Sequence, residues 1–189
     1  IKSELGEDSY IKPPKAFIKK DKGGNPIIRH VVTTKEQKLT SEDILNVYNN
    51  NKVLVIVNTV KKAQQLYDAL KKSNVEDVHL FHSRYTKQDR AKKESDILSF
   101  APATSRNEET GIWITTQVVE ASLDIDFDFL LTELSDLCGF FQRLGRIFRS
   151  RVYAEKIANV FLYVGAELGD VSGIDVNRNK GIIDSDIHR

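Results

Sequence analysis

Four arginines lie close together in the stretch GFFQRLGRIFRSR, residues 139–151. A guanidinium is planar, permanently charged and forked, so it suits phosphate or carboxylate oxygens, above all where negative charge develops in a transition state. The same stretch holds Phe140, Phe141, Leu144, Ile147 and Phe148. Projected at about 100° per residue, these five fall within an arc of roughly 120°. Gln142, Arg146 and Arg149 cluster within roughly 60° on the opposite side, with Arg143 at the border. The pattern predicts an amphipathic helix that docks one face on a core and directs Arg146 and Arg149 outward. The alternative chemistry is plain: a solvated helix face whose arginines pair with acids such as Glu120 or Asp124.

Other polar groups with chemical capacity follow apolar runs: Asn58-Thr59, His82-Ser83-Arg84 and Thr115-Thr116-Gln117. Hydroxyls and free backbone N–H groups at such points can hold phosphates, although each also suits a helix cap or turn. Several chemistries are excluded by pattern. There is no G-x-x-x-x-G-K-[ST] phosphate loop, no G-x-G-x-x-G and no G-x-S-x-G nucleophile elbow. His30, His79, His82 and His188 have no His or Cys partners at metal-ligand spacing, so no metal site is expected. The arginines therefore occur in a chain that lacks a Walker lysine. Guanidinium groups that serve a nucleotide bound elsewhere act as arginine fingers.

The elements that must position these groups alternate between strand and helix. KVLVIVN, VEDVHLFH, GIWITT, FDFLLTEL and ANVFLYVG read as strands, the first a continuous apolar run of the fully buried kind. TVKKAQQLYDALKK and TKQDRAKKESDILSF read as helices, and LTSEDILNVYNN as a short helix with capping-box spacing from Thr40 to Asp43. Ahead of them, AFIKKDKGGNPIIRHVVTT reads as two β-rich runs around a turn at residues 23–26. The expected fold is α/β: a mainly parallel sheet flanked by helices, preceded by an N-terminal β-hairpin. Ligands of such sheets bind beyond the carboxyl ends of the strands. The expected organisation is a hairpin and helix over 1–50, the α/β core over 51–165, and an irregular tail or linker over 166–189.

Composition fits one ordinary globular domain: 189 residues, 40% hydrophobic and 29% charged. The net charge of +1 leaves any basic surface to local asymmetry. No run is long enough to span a bilayer and no signal peptide is visible, so no membrane partner is expected. One cysteine, Cys138, suits a reducing compartment, and a cytoplasmic location is expected. The chain opens on Ile1 and contains no methionine, which leads us to expect a piece of a longer protein.

TTQVVEASLDID, residues 115–126, resembles helicase motif V, and QRLGRIFR, residues 142–149, resembles motif VI of superfamily 2. VLVIVNT resembles motif IV, and FHSRYTKQDR resembles the block beside it. Their order is that of the second, C-terminal RecA-like lobe. The wording of motif V together with H-S-R-x-x-x-x-D-R is similar to the CRISPR-associated helicase–nuclease of type I systems, over roughly residues 52–164. Two departures stand out. Phe148 occupies a position that is glycine in many superfamily members, and Ala121-Ser122 replaces the Arg-Gly of the DEAD-box branch.

The resemblance implies an ATP-driven DNA helicase or translocase, with ATP and Mg2+ bound mainly by a first lobe absent from this chain. It implies Arg146 and Arg149 as arginine fingers. Gln142, Arg143 and Asp124 would lie at the nucleotide or the lobe interface. Thr59, Ser83, Arg84, Thr115 and Thr116 would contact the backbone of single-stranded DNA. Implied partners are the first RecA-like lobe and an HD nuclease, in the same or another chain, and the CRISPR RNA-guided surveillance complex. Two other readings stay open: another superfamily 2 motor on DNA or RNA, and a RecA-like interaction module without motor function.

Overall fold

Runs of Val, Ile and Leu have no polar face to show to water, so they settle where both faces of a sheet are covered. In the computed structural model, which describes residues 20–120, 123–149 and 151–174, three such runs form the centre of the sheet. They are β2 (Lys52–Ile56), β4 (Gly111–Thr115) and β5 (Phe129–Glu133), all buried except the first residue of β5. With β1 (Val32–Lys35), β3 (Val78–Phe81) and β6 (Val160–Tyr163) they make one six-stranded sheet, order β1-β6-β5-β2-β4-β3. Every ladder in it is parallel.

Alternation along each strand divides the core in two. Leu54, Ile56, Trp113 and Leu130 face one layer, which holds Ile97 and Phe100 of α3 (Lys87–Phe100) and Leu144 of α4 (Leu137–Leu144). Val53, Val55, Ile112, Ile114 and Leu131 face the other, with Ile44 of α1 (Ser41–Tyr48) and Ala63, Leu66 and Leu70 of α2 (Val60–Lys72). Each fully buried Leu or Ile contributes about 1.5–3 kcal/mol. Two helices on each face complete the doubly covered α/β lobe.

Helix starts follow the sequence signals. Thr40 and Asp43 form the expected capping box: Asp43 N donates to Thr40 Oγ1 at 3.2 Å, and Thr40 N to Asp43 Oδ2 at 2.9 Å. Thr59, Thr86 and Asp136 cap α2, α3 and α4 by accepting from Lys62, Asp89 and Gly139 N–H groups. These caps fix where the helices begin, and so which residues lie at the carboxyl ends of the strands.

The N-terminal segment differs in part from the expected hairpin. A turn forms, with Asp21 Oδ1 accepting from Gly23 and Asn25 N–H groups, and Lys20 and Pro26 make an isolated antiparallel bridge. The second run, however, pairs as edge strand β1 in parallel with β6. Asn159 draws it there, its fully buried amide accepting from Val31 N at 2.8 Å and donating to Arg29 O at 2.9 Å. The first run (16–19) lies outside the described residues, as do Ala121 and Ser122. In the tail, Val171 and Ile174 are buried against Leu134; 175–189 lie outside the described residues.

The arginine stretch departs further from expectation, because α4 ends at Leu144. Gly145 N donates to Phe141 O, and Arg146 N to Arg143 O in a tightened last turn. The backbone then leaves the helix and pairs with Phe127: Phe127 N donates to Arg146 O at 2.9 Å and Phe148 N to Phe127 O at 3.3 Å. Helical periodicity cannot register this capture by a segment some 20 residues earlier in the chain. Leu144 and Ile147 do enter the core, whereas Phe141 is 62% exposed.

Candidate nucleotide and nucleic-acid site

Two groups of candidates emerge, one at each end of the connection between β4 and β5. At the carboxyl ends of β2, β3 and β4, a groove of about 340 Å³ is lined by Asn58, Thr59, Ser83, Arg84, Thr116 and Gln117, joined by Lys61. The α2 N-terminus opens into it. Thr59 caps that helix, and Gln117 Nε2 donates to Asn58 O at 3.1 Å, which ties two walls together. Ser83 and Arg84 are exposed. His82 behind them is buried and stacks on Tyr85 at 4.5 Å, and burial holds its pKa below the usual histidine value.

Thr115 does not belong to this surface. It is fully buried, and its hydroxyl donates to Val55 O at 3.1 Å across the sheet. It ends β4 pointing inward, and alternation sends the next residue, Thr116, toward the groove. Lys61 was not singled out from the sequence. Its signal is its place two residues after a threonine N-cap, where a side chain overlooks the helix start.

At the other end lie the arginines, and each is used differently. Arg143 is 1% exposed. Its guanidinium donates to Glu120 Oε1 (2.8 Å), Thr132 Oγ1 (2.7 Å), Glu133 O (2.8 Å) and Asn58 Oδ1 (3.0 Å). An arginine so bonded is an internal post. The position at the nucleotide expected for Arg143 is corrected, because α4 turns this residue toward β5 and leaves it no free donor fork.

Arg146 is also inside, 8% exposed, and not on the outward face that the helical projection gave it. Its Nη2 donates to Glu120 O at 2.7 Å and its Nη1 to Leu123 O, while its Nε is buried without a partner. Burial, and next the neighbouring Arg149, pull its pKa below the ordinary arginine value. Arg149 is exposed. Its Nε pairs with Asp124 Oδ1 at 2.8 Å, and its backbone N–H donates to Asp126 Oδ1 at 3.1 Å. Gln142 is exposed, its amide near Cys138 Sγ at 3.7 Å.

Glu120 and Asp124, the acids of the plainer alternative, are thus real partners. The magnitudes separate them. An exposed pair such as Arg149–Asp124 is worth about 0–1 kcal/mol and exchanges readily for another anion. Removing one member of a buried network such as that of Arg143 costs about 3–5 kcal/mol. Arg149 is available to a ligand; Arg143 is not. Sequence reasoning missed Asp126, Asp128 and Arg151, which form a second cluster beneath Arg149. The alternation D-x-D-x-D over residues 124–128 was the available signal, since it places Asp124, Asp126 and Asp128 on one side of an extended segment.

Fold and site together define a RecA-like α/β lobe whose β4–β5 connection joins a polar groove to an arginine segment. The family model described as CRISPR-associated nuclease/helicase Cas3, C-terminal, matches residues 49–152. The chain belongs to that family. It is 42% identical over 99 residues to the CRISPR-associated endonuclease/helicase Cas3 of Escherichia coli, covering 51% of this chain and 11% of that protein. It is 34% identical over 132 residues to the CRISPR-associated nuclease/helicase Cas3 of Methanothermobacter thermautotrophicus, covering 65% of this chain and 15% of that protein. The chain therefore spans less than a fifth of these relatives. Its fold matches the T. fusca Cas3-ADP crystal structure with a TM-score of 0.64 at 24% identity, over 75% of this chain and 19% of the other. Among the described residues, no helix is long and apolar enough to cross a membrane.

Proposed function

We propose that this lobe is the C-terminal motor half of a cytoplasmic, ATP-dependent DNA helicase or translocase that serves CRISPR interference. Its partners would be single-stranded DNA, a first RecA-like lobe that binds ATP, an HD nuclease in the same or another chain, and the RNA-guided surveillance complex. Membership of the Cas3 C-terminal family supports this reading, and one observation carries the local role. Arg146 is desolvated with its Nε unpartnered, and beside it the exposed Arg149 side chain is held by a weak ion pair to Asp124 and a long 3.4 Å hydrogen bond from Nη1 to Gly145 O.

Such donors fit phosphate oxygens. Arg149 would exchange Asp124 for phosphate, and Arg146, anchored through its Nη groups to the Glu120 and Leu123 carbonyls, would add its fixed positive charge close by. Exposed Gln142 would border the lobe interface. ATP, when bound, supplies the phosphoryl bond whose hydrolysis drives movement. Mg2+ would accompany the ATP phosphates, held mainly by the first lobe.

Thr59, Ser83, Arg84, Lys61 and Thr116 would hold the sugar–phosphate backbone at the groove. Backbone contacts carry no sequence information, which suits a motor that must pass every base.

The test is Arg149→Ala in the protein together with its ATP-binding lobe, with DNA-stimulated ATP hydrolysis followed against melting temperature. Hydrolysis falls roughly 10³–10⁵-fold, and Arg149→Lys recovers little because an ammonium cannot reproduce the fork. Melting stays close to the parent, because Arg149 is exposed. Near-normal turnover by Arg149→Ala overturns the reading.

A further inference from the structure

Between the two arginines read as fingers, the backbone takes an unfavourable turn. Phe148 has φ +42°, in the left-handed region that a bulky L-residue rarely enters. This torsion sets the direction in which Arg149 leaves the chain, so whatever holds it sets the aim of that side chain. The flanking carbonyls are held from the N-terminal segment, Ile147 O by His30 Nε2 at 3.0 Å and Arg149 O by Arg29 Nη1 at 2.8 Å, and further contacts converge on Phe148 and the Arg149 N–H. Phe148 N–H donates to Phe127 O. Arg149 N–H donates to Asp126 Oδ1. The Phe148 ring packs edge-on against Tyr153, 4.8 Å between centroids. The Arg151 guanidinium lies over that ring, 4.1 Å from its centroid.

Arg151 does more than stack. Its Nε and Nη2 donate to the two carboxylate oxygens of Asp126 at 2.7 and 3.1 Å. Nη1 donates to Asp128 Oδ1 at 2.9 Å and Nη2 to Phe127 O at 2.9 Å. One planar fork thus grips the Asp126–Phe127–Asp128 backbone segment and the Phe148 ring at once. Asp126, which accepts the Arg149 N–H, is 8% exposed, so its position depends on this partner.

We propose that Arg151 is a positioning residue: clamped on Asp126 and Asp128, it holds Phe148 in the left-handed turn and so aims Arg149. This rests on the reading of Arg149 as an arginine finger. If the clamp opens, Phe148 relaxes toward negative φ and Arg149 leaves its place beside Asp124. Misplacing a transition-state donor lowers kcat and leaves KM for ATP nearly unchanged.

The experiment uses the protein with its ATP-binding lobe. Arg151→Ala is expected to lower kcat about 10- to 100-fold with KM for ATP within about threefold of the parent. Adding Phe148→Gly in that background is the diagnostic step. Glycine occupies the left-handed turn without strain, so part of the lost kcat returns, by roughly threefold or more. If Arg151 were only a structural brace, Phe148→Gly would strip further ring contacts and lower activity again, and that result overturns the proposal. Should Arg151→Ala fail to fold, Arg151→Lys keeps a cation between the two aspartates but cannot span them and Phe127 O together. Its kcat is expected to fall selectively by about 3- to 10-fold, with the same rescue by Phe148→Gly. A folded Arg151→Lys with parental kcat also overturns the proposal. Arg149→Ala, run alongside, separates the two ideas: if it is inactive while both Arg151 variants turn over normally, the clamp alone is wrong, and if it is active, the finger reading has failed and takes the clamp with it.

Discussion

The groove at the carboxyl ends of β2, β3 and β4 and the arginine segment below it are served by the same connection but built on opposite principles. In the groove, Ser83 and Arg84 are exposed, and Thr59 is committed only to capping its own helix. In the arginine segment nearly every donor is engaged within the chain, from the four bonds of Arg143 to the grip of Arg151 on Asp126 and Asp128. Under the proposed function this contrast is expected: a groove that releases and regrips a moving strand would gain from loosely held groups, whereas a group that stabilises charge in a transition state has to be in place beforehand. Arg143 also links the two regions, through Asn58 at the groove and Glu120 on the connection.

The sharpest way to break this contrast is at that link. Arg143→Ala leaves Glu120, Thr132 and Asn58 without their buried partner, and should destabilise the lobe by about 3–5 kcal/mol. Denaturant melts would check it; a change under 1 kcal/mol would show that Arg143 is not the post described. Arg146→Ala falls between its neighbours. It gives up two buried contacts to carbonyls and should cost about 1–3 kcal/mol, so Arg149→Ala is the cleaner probe of the finger role.

The next comparison lies within α4. Leu144→Ala opens a cavity in the core and should cost about 2–5 kcal/mol, while Phe141→Ala, on the exposed face, should stay within about 0.5 kcal/mol. Equal losses from the two would mean that α4 packs with a different face inward than the structure shows.

At the groove, effects should appear in salt dependence and leave stability unchanged. Arg84→Ala is expected to lower the slope of log affinity against log salt by about 0.7 for single-stranded DNA, uniformly across base sequences. Anisotropy titrations at several salt concentrations would measure this. A loss confined to one base sequence would contradict the backbone-gripping role.

The smallest expected effect is on pH. Burial holds the pKa values of His79 and His82 below the ordinary histidine value. The unfolded chain then binds protons, near pH 6.5, that the folded lobe does not. Stability should be fully present above that pH and decline as pH falls through the window toward the folded-state pKa values. Melting curves at stepped pH would show it, and His79→Gln should flatten the decline; a melting temperature that rises on acidification over this window would contradict the assignment.

Much of the lobe was readable from residue order alone. The buried runs at β2, β4 and β5 have no polar alternate positions, so a doubly covered parallel sheet was forced on them, and threonine and aspartate caps set the helix starts because their oxygens satisfy otherwise unpaired N–H groups. Motif wording located both candidate regions. Tertiary structure decided how the charges within them are used. Periodicity carried the arginine helix on to residue 151, although Gly145 was a visible stop signal. It could not show that Phe127 captures the backbone beyond Gly145, that Arg143 turns inward to Asn58 and Glu120, or that Arg151 closes on Asp126 and Asp128. Those contacts join residues 19 to 85 positions apart, and local pattern carries no information about partners at that range. Residue type and spacing determined that guanidinium groups would gather here; only the packed chain decided which of them stay free.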